Sequence, residues 1–233
     1  MAKNGKKCLL IGVALLLAFI VWTVLIMKVD VQPVGVYDTN VGFARINTWF
    51  HRLTGEHEGL YRLTDWLGLV PIAVCIGFGI LGLIQMIRRK SLLKVDPDII
   101  MLGVFYVVVI LGYLIFEKIV INYRPTLFDG QESSYPSSTT LLVLSVMPTL
   151  IFQVNRRMKN TALKKVIIIL SVLFTAFMVI GRLVSGVHWL TDIIGSVFLS
   201  AGLYLIYRSC VMISDRKKEE KGDEVDAKVH SQG

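Results

Sequence analysis

His188 and Asp192 stand four residues apart, so on a helix they share one face, where a carboxylate can orient and polarise an imidazole. Six residues before the histidine, Gly181 leads into Arg182. Two further short stretches carry matching chemistry: Asn122-Tyr123-Arg124-Pro125, and Tyr135-Pro136-Ser137-Ser138-Thr139-Thr140. The guanidinium groups of Arg124 and Arg182 are planar forks suited to phosphate oxygens. Ser137 and Ser138 open an apolar run, and the free N–H groups of a first helical turn favour an anion. These residues together describe a phosphate site.

The elements that must position them follow from composition. Over 233 residues, 54% are hydrophobic and the mean hydropathy is +0.64, too apolar for an ordinary soluble domain. A hydrocarbon core needs about 20 apolar residues per crossing. Such runs cover 8–27, 66–87, 98–121, 137–154, 166–185 and 193–212. The expected fold is an all-α, six-span membrane bundle occupying residues 1–213. The first run follows Lys3, Lys6 and Lys7 but lacks a small-residue cleavage site, so it reads as a retained helix rather than a secretory signal.

Lys and Arg mark the cytoplasmic loops. The amino-terminal lysines, Arg88-Arg89-Lys90 with Lys94, Arg156-Arg157 with Lys159, and Lys164-Lys165 all fall on one side. Both chain ends then lie in the cytoplasm, and the phosphate residues face outward at the cell membrane. This pattern also accounts for the net charge of +8 and the pI near 9.4, and nucleic acid is excluded as a partner.

Residues 28–65 mix Trp49, Phe50, Leu53, Leu60 and Leu63 with charged groups, which suits an amphipathic segment at the outer interface. It either covers the bundle or guides a lipid headgroup to the site. His51 and His57 lie within it. Residues 214–233 carry mixed charge and little apolar content, and are expected to form a disordered cytoplasmic tail. Cys8, Cys75 and Cys210 read as apolar packing residues. Gly77, Gly79 and Gly82 are expected to allow close helix packing, and Pro148 to kink its span.

An ionisable group at bilayer depth costs about 2.5 to 3.5 kcal/mol on insertion scales. Glu117, Lys118, Arg124, Arg182 and Asp192 nevertheless gather near the outward ends of the spans beside a histidine. Interfacial snorkelling would explain any one of them alone, but not all five together.

Arg124-Pro125, the Pro136-Ser137-Ser138 turn, and Arg182 followed by His188 and Asp192 resemble the three signature segments of the phosphatidic acid phosphatase type 2 superfamily. The likeness runs over about residues 118–192, and the third segment has the full family spacing. In the family, the first segment is a lysine, six intervening residues and Arg-Pro. Here five residues separate Lys118 from Arg124, and Glu117 holds the family position. Six helical steps rotate the chain by about 240 degrees, whereas seven return it nearly to the same face, so Lys118 needs a local irregularity to reach the phosphate.

The second departure matters more. The family places a general-acid histidine after Pro-Ser-Gly, and here Thr139 stands in that position. A positioned acid is typically worth about 10² to 10⁴ in rate.

The resemblance implies displacement at phosphorus. His188 attacks, Asp192 holds its other ring nitrogen, and Lys118, Arg124, Ser137, Ser138 and Arg182 bind phosphate, with no metal and no cofactor. A phosphohistidine forms and is hydrolysed. Loss of the acid hurts most with an alkoxide leaving group, as in phosphatidate, and least with a phosphate leaving group, as in a polyprenyl diphosphate.

Three readings stand: an attenuated lipid phosphatase, a non-catalytic lipid-phosphate binding protein, and a transporter whose charges line a pathway. The outward position of every motif argues against the transporter, and the spans exclude the superfamily's soluble haloperoxidases.

Overall fold

The structure, a computed structural model, describes the backbone of residues 2–231 and the side chains of residues 4–220. Among the described residues eight α-helices follow one another: α1 (Ala2–Lys28), α2 (Ala44–Thr54), α3 (Glu58–Leu67), α4 (Leu69–Arg89), α5 (Pro97–Lys118), α6 (Ser138–Arg157), α7 (Thr161–Val184) and α8 (Leu190–Ser231). Six of the described segments are long and apolar enough to cross a membrane, as expected: α1, α3 joined to α4, α5, α6, α7 and α8. Outward-facing apolar side chains such as Leu10, Ile20, Ile87, Ile169 and Leu173 would be a liability in water and are what a lipid-facing surface requires.

The bundle is organised around α8, which packs against α1, α5 and α6. Small residues make the α1–α8 crossing close. A Cβ on Gly12 would lie 3.0 Å from the Gly202 carbonyl oxygen, and one on Gly202 would lie 3.1 Å from that of Gly12. Of the glycines expected to pack closely in α4, only Gly82 does so, with a Cβ position 3.2 Å from Ile99; nothing lies within 4 Å of those of Gly77 and Gly79. Buried serines of α8 are satisfied locally or across the bundle: Ser196 donates to the Ser137 carbonyl at 3.0 Å and Ser209 to that of Gly5 at 2.8 Å. α6 runs unbroken through Pro148.

At the end of the bundle away from the phosphate residues, Arg157 grips Asp98 through Nη2 at 2.8 and 2.9 Å and Asp96 through Nη1 at 2.9 Å. Arg156 bonds Asp215 at 2.7 Å. These pairs tie α5, α6 and α8 together. They also involve the segment expected to be a disordered tail, which the structure instead continues as helix to Ser231. No proline interrupts it, and extending a helix that the bundle has already nucleated costs little per residue. Arg216 and Glu220 add an i,i+4 ion pair at 2.6 Å.

The long first loop folds mainly into α2 and α3. Asn47 on α2 donates to Thr191 Oγ1 at 3.0 Å and accepts from the Thr191 amide at 3.3 Å. Thr64 on α3 packs against Gly181 of α7, where a Cβ would approach its methyl to 2.8 Å. Trp49, Leu53 and Trp66 are left exposed. The loop thus covers the α7–α8 corner and keeps a row of apolar side chains outside.

Candidate functional site

α5 ends at Lys118 rather than at Ile121, and the chain then forms an irregular hairpin before α6. Two backbone bonds hold the hairpin: the Arg124 amide to the Glu132 carbonyl at 3.1 Å, and the Ser134 amide to the Asn122 carbonyl at 2.9 Å. This pairing brings Asn122, Arg124 and Ser134 to the α7–α8 corner, where Arg182 ends one helix and Asp192 lies in the first turn of the next.

His188 sits between those helices, almost fully buried. Its Nδ1 lies 3.0 Å from the Ser134 carbonyl oxygen, an acceptor, so Nδ1 carries the proton. Nε2 is left with its lone pair and lies 3.4 Å from Arg182 Nη2. Burial holds the His188 pKa well below its ordinary value, with Arg182 and Arg124 adding to the effect, so the ring is neutral near pH 7.

Asp192 is fully buried and serves the loop before it. It accepts from the Trp189 amide at 2.9 Å and the Ser134 hydroxyl at 2.5 Å, and Asn122 approaches it at 3.5 Å. Its nearest oxygen is 3.9 Å from His188 Nδ1, beyond hydrogen-bond distance. The expectation that Asp192 directly holds the second ring nitrogen is therefore corrected: Ser134 holds it and connects the two.

The two guanidiniums lie against the same ring, that of Tyr61. Arg182 is buried, its Nε and Nη1 have no hydrogen-bond partner, and Arg124 Nε is likewise unpartnered. Buried donors without acceptors are costly, and an anion between the arginines would satisfy them. Tyr61 of α3 forms one wall. Its ring centroid is 5.0 Å from the Arg182 guanidinium carbon and 5.8 Å from that of Arg124. The Tyr61 hydroxyl donates to Asp129 and accepts from Arg124 Nη1 at 3.3 Å. Glu132 also pairs with Arg124 Nη1, at 2.8 Å. The start of α6, capped at Ser137, completes the surround with amides that have no intrahelical acceptor.

A model of the PAP2 superfamily matches residues 99–216, a span that holds the arginine pair, the start of α6, His188 and Asp192. The chain belongs to the PAP2 superfamily. Its fold is similar to that of a transmembrane PAP2-type phosphatidylglycerolphosphate phosphatase from Bacillus subtilis, with a TM-score of 0.62 over 88% of this chain and 96% of that one, at 16% identity. No curated protein matches the sequence.

Of the residues expected from the PAP2 pattern, Arg124, Arg182, His188 and Asp192 converge. Ser137 is buried at the α6 N-cap, with its hydroxyl donating to Thr140 at 3.0 Å, so any anion contact from this residue would come from the backbone. Ser138 is half-buried and borders the cavities on both sides of the helix start. Lys118 stays outside. It is the exposed last residue of α5, and its side chain has no ion pair or hydrogen bond among the described residues, while Glu117 lines a small cavity with Arg124 and Glu132. The chain leaves helical geometry at Ile119, after Lys118, so that irregularity does not turn the lysine inward.

Thr139 is half-buried and packs toward Gly68. It borders a mainly apolar cavity of about 500 Å³ between α4, α5 and α6, whose lining includes Asp65, Ile72, Tyr106, Ser138 and Leu142. Neither loop histidine lines that cavity: His51 Nε2 is 3.2 Å from the Gly186 carbonyl oxygen, in the turn that carries His188, and His57 Nε2 is 2.9 Å from that of Thr54. Sequence reasoning missed Ser134, Tyr61 and Asp65. Only Ser134 had a local clue, its position just before Tyr135-Pro136.

Proposed function

We propose that the chain is an integral membrane lipid phosphatase that acts through a phosphohistidine on His188, with a lipid diphosphate of the polyprenyl type preferred to phosphatidate. The observation that carries this reading is the orientation of His188: Nδ1 is committed to Ser134, and the unprotonated Nε2 accepts from Arg182 Nη2 beside guanidinium donors that lack acceptors. PAP2 membership and the likeness to a membrane phosphatase support the same reaction class.

The phosphate lies between Arg124 and Arg182, with the first amides of α6 taking a further oxygen. Nε2 attacks phosphorus in line with the departing oxygen, and the two arginines neutralise the charge spread over the equatorial oxygens. Ser134 keeps the Nδ1 proton in place as the ring becomes positive. The apolar cavity beside Thr139 accommodates part of the hydrocarbon tail. Thr139 offers no acid to protonate an alkoxide, whereas a lipid monophosphate leaves from a diphosphate without one. The site faces the outer side of the cell membrane, following the distribution of loop lysines and arginines.

The test is phosphate release by purified protein in lipid vesicles. Polyprenyl diphosphate should be hydrolysed faster than phosphatidate, vanadate should inhibit, and His188→Ala should release none. Vanadate-sensitive binding without release from either lipid would leave the chain as a lipid-phosphate binding protein.

A further inference from the structure

Hydrolysis of a phosphohistidine needs a group to take a proton from the attacking water, and the position that supplies a histidine in PAP2 enzymes is Thr139 here. Resting on the phosphatase reading, we propose that Asp65, at the carboxyl end of α3, is the proton acceptor for that water. Asp65 Oδ1 lies 3.7 Å from Arg182 Nη1, while the nucleophilic Nε2 of His188 lies 3.4 Å from Nη2 of the same guanidinium. The carboxylate and the nucleophile therefore border one side chain, with the phosphate space beside it. Asp65 also lines the same cavity as Ser138 and Thr139, and Thr139 packs against Gly68, three residues beyond Asp65. An acidic side chain carried by the first loop thus reaches the place that the missing histidine leaves open.

Other candidates near the arginines are already engaged. Asp129 accepts from Tyr61 and from Arg62 at 2.7 Å. Glu132 is paired with Arg124 at 2.8 Å. Tyr61 is held between Asp129 and Arg124. His51 and His57 are bonded to backbone carbonyls within and beyond the loop. Among the described residues the Asp65 carboxylate has no hydrogen bond, and its side chain is 60% exposed, so solvent can carry away the proton it receives.

The chemistry fits a carboxylate better than an acid. A carboxylate brings no proton to a leaving group but can accept one. In the first step the bond between phosphorus and the bridging oxygen breaks, the lipid monophosphate departs with the electron pair, and the Nε2–phosphorus bond forms. In the second, water oxygen bonds to phosphorus, its proton passes to Asp65, and the electron pair of the breaking phosphorus–nitrogen bond returns to Nε2. This division of labour predicts an enzyme that forms the intermediate without help and needs Asp65 only to clear it.

The experiment is a rapid-quench measurement on the full chain in vesicles, with polyprenyl diphosphate labelled in its terminal phosphate. Asp65→Asn should form the acid-labile phosphoenzyme at the wild-type rate, accumulate it, and release phosphate at least about 10²-fold more slowly, the usual worth of a general base. Asp65→Glu should recover part of the release rate, and Thr139→His combined with Asp65→Asn should recover more. Release at the wild-type rate by Asp65→Asn would overturn the assignment. So would slow formation with no accumulation and a raised KM, the signature of a residue that only positions Arg182. Loss of release in Glu132→Gln with Asp65→Asn unaffected would move the role to Glu132. Absence of any phosphoenzyme in the wild-type protein would instead refute the phosphohistidine reading itself.

Discussion

His188 and Asp192 do not touch: Nδ1 and the nearest carboxylate oxygen are 3.9 Å apart, and Ser134 bridges them through its carbonyl on one side and its hydroxyl on the other. The i,i+4 spacing brings the pair to one corner without making a hydrogen bond, because His188 precedes α8 and Asp192 uses its oxygens to cap the helix start.

Ser134→Ala should therefore be felt in stability more than in chemistry. It removes a hydrogen bond to a fully buried carboxyl group, a loss of about 1–3 kcal/mol when a buried acceptor is deprived of its partner, while the backbone carbonyl still fixes Nδ1. Unfolding in detergent should show the destabilisation, with turnover down far less than the roughly 10²-fold that loss of a general acid or base costs. Unchanged stability would mean that Asp192 does not depend on Ser134.

The depressed pKa of His188 sets the pH dependence. Nucleophilic attack needs the neutral ring, so the acid limb of kcat/KM should fall below about 6.5, the ordinary histidine value. Removing a nearby positive charge with Arg182→Gln should move that limb upward. The stability sign is the same: below about 6.5 the unfolded chain takes up a proton that the fold refuses, so stability falls with falling pH. An acid limb above 6.5 that does not move in Arg182→Gln would contradict the buried, neutral ring.

Restoring the family acid offers a different check. Thr139→His should raise phosphate release from a monoester such as phosphatidate by at least about tenfold, and by less from a diphosphate, since a general acid acts on the poorer leaving group. His51→Ala and His57→Ala should change little. A loop-histidine variant that eliminates activity would place the acid in the loop.

Topology can be read with introduced cysteines. Substitutions at Asn40 or Gln131 should label from outside intact cells, and ones at Ser91 or Asn160 only after permeabilisation. Labelling of the Ser91 variant from outside would invert the orientation and move the site to the cytoplasm.

The six spans were legible because each is a long apolar run, and Arg182, His188 and Asp192 because their spacing lies within one short segment. Lys118 was a sequence neighbour of the site that the structure leaves at the exposed end of α5. Ser134 was hidden because a loop serine has no periodicity to mark it. Tyr61 and Asp65 come from a helix far away in sequence, and only the packing of α3 on α7 brings them to Arg182. The helical continuation beyond Met212 followed from propagation along α8, which the polar composition concealed.

The most direct test of the account is recovery of covalent phosphate after acid-free quenching during turnover of a labelled lipid diphosphate, with the labelled residue identified by peptide mapping. The account predicts label on His188 of the wild-type protein, none in His188→Ala, and reduced labelling through weaker substrate binding in Arg182→Ala. Phosphate release undiminished in His188→Ala, or label on another residue, would contradict it.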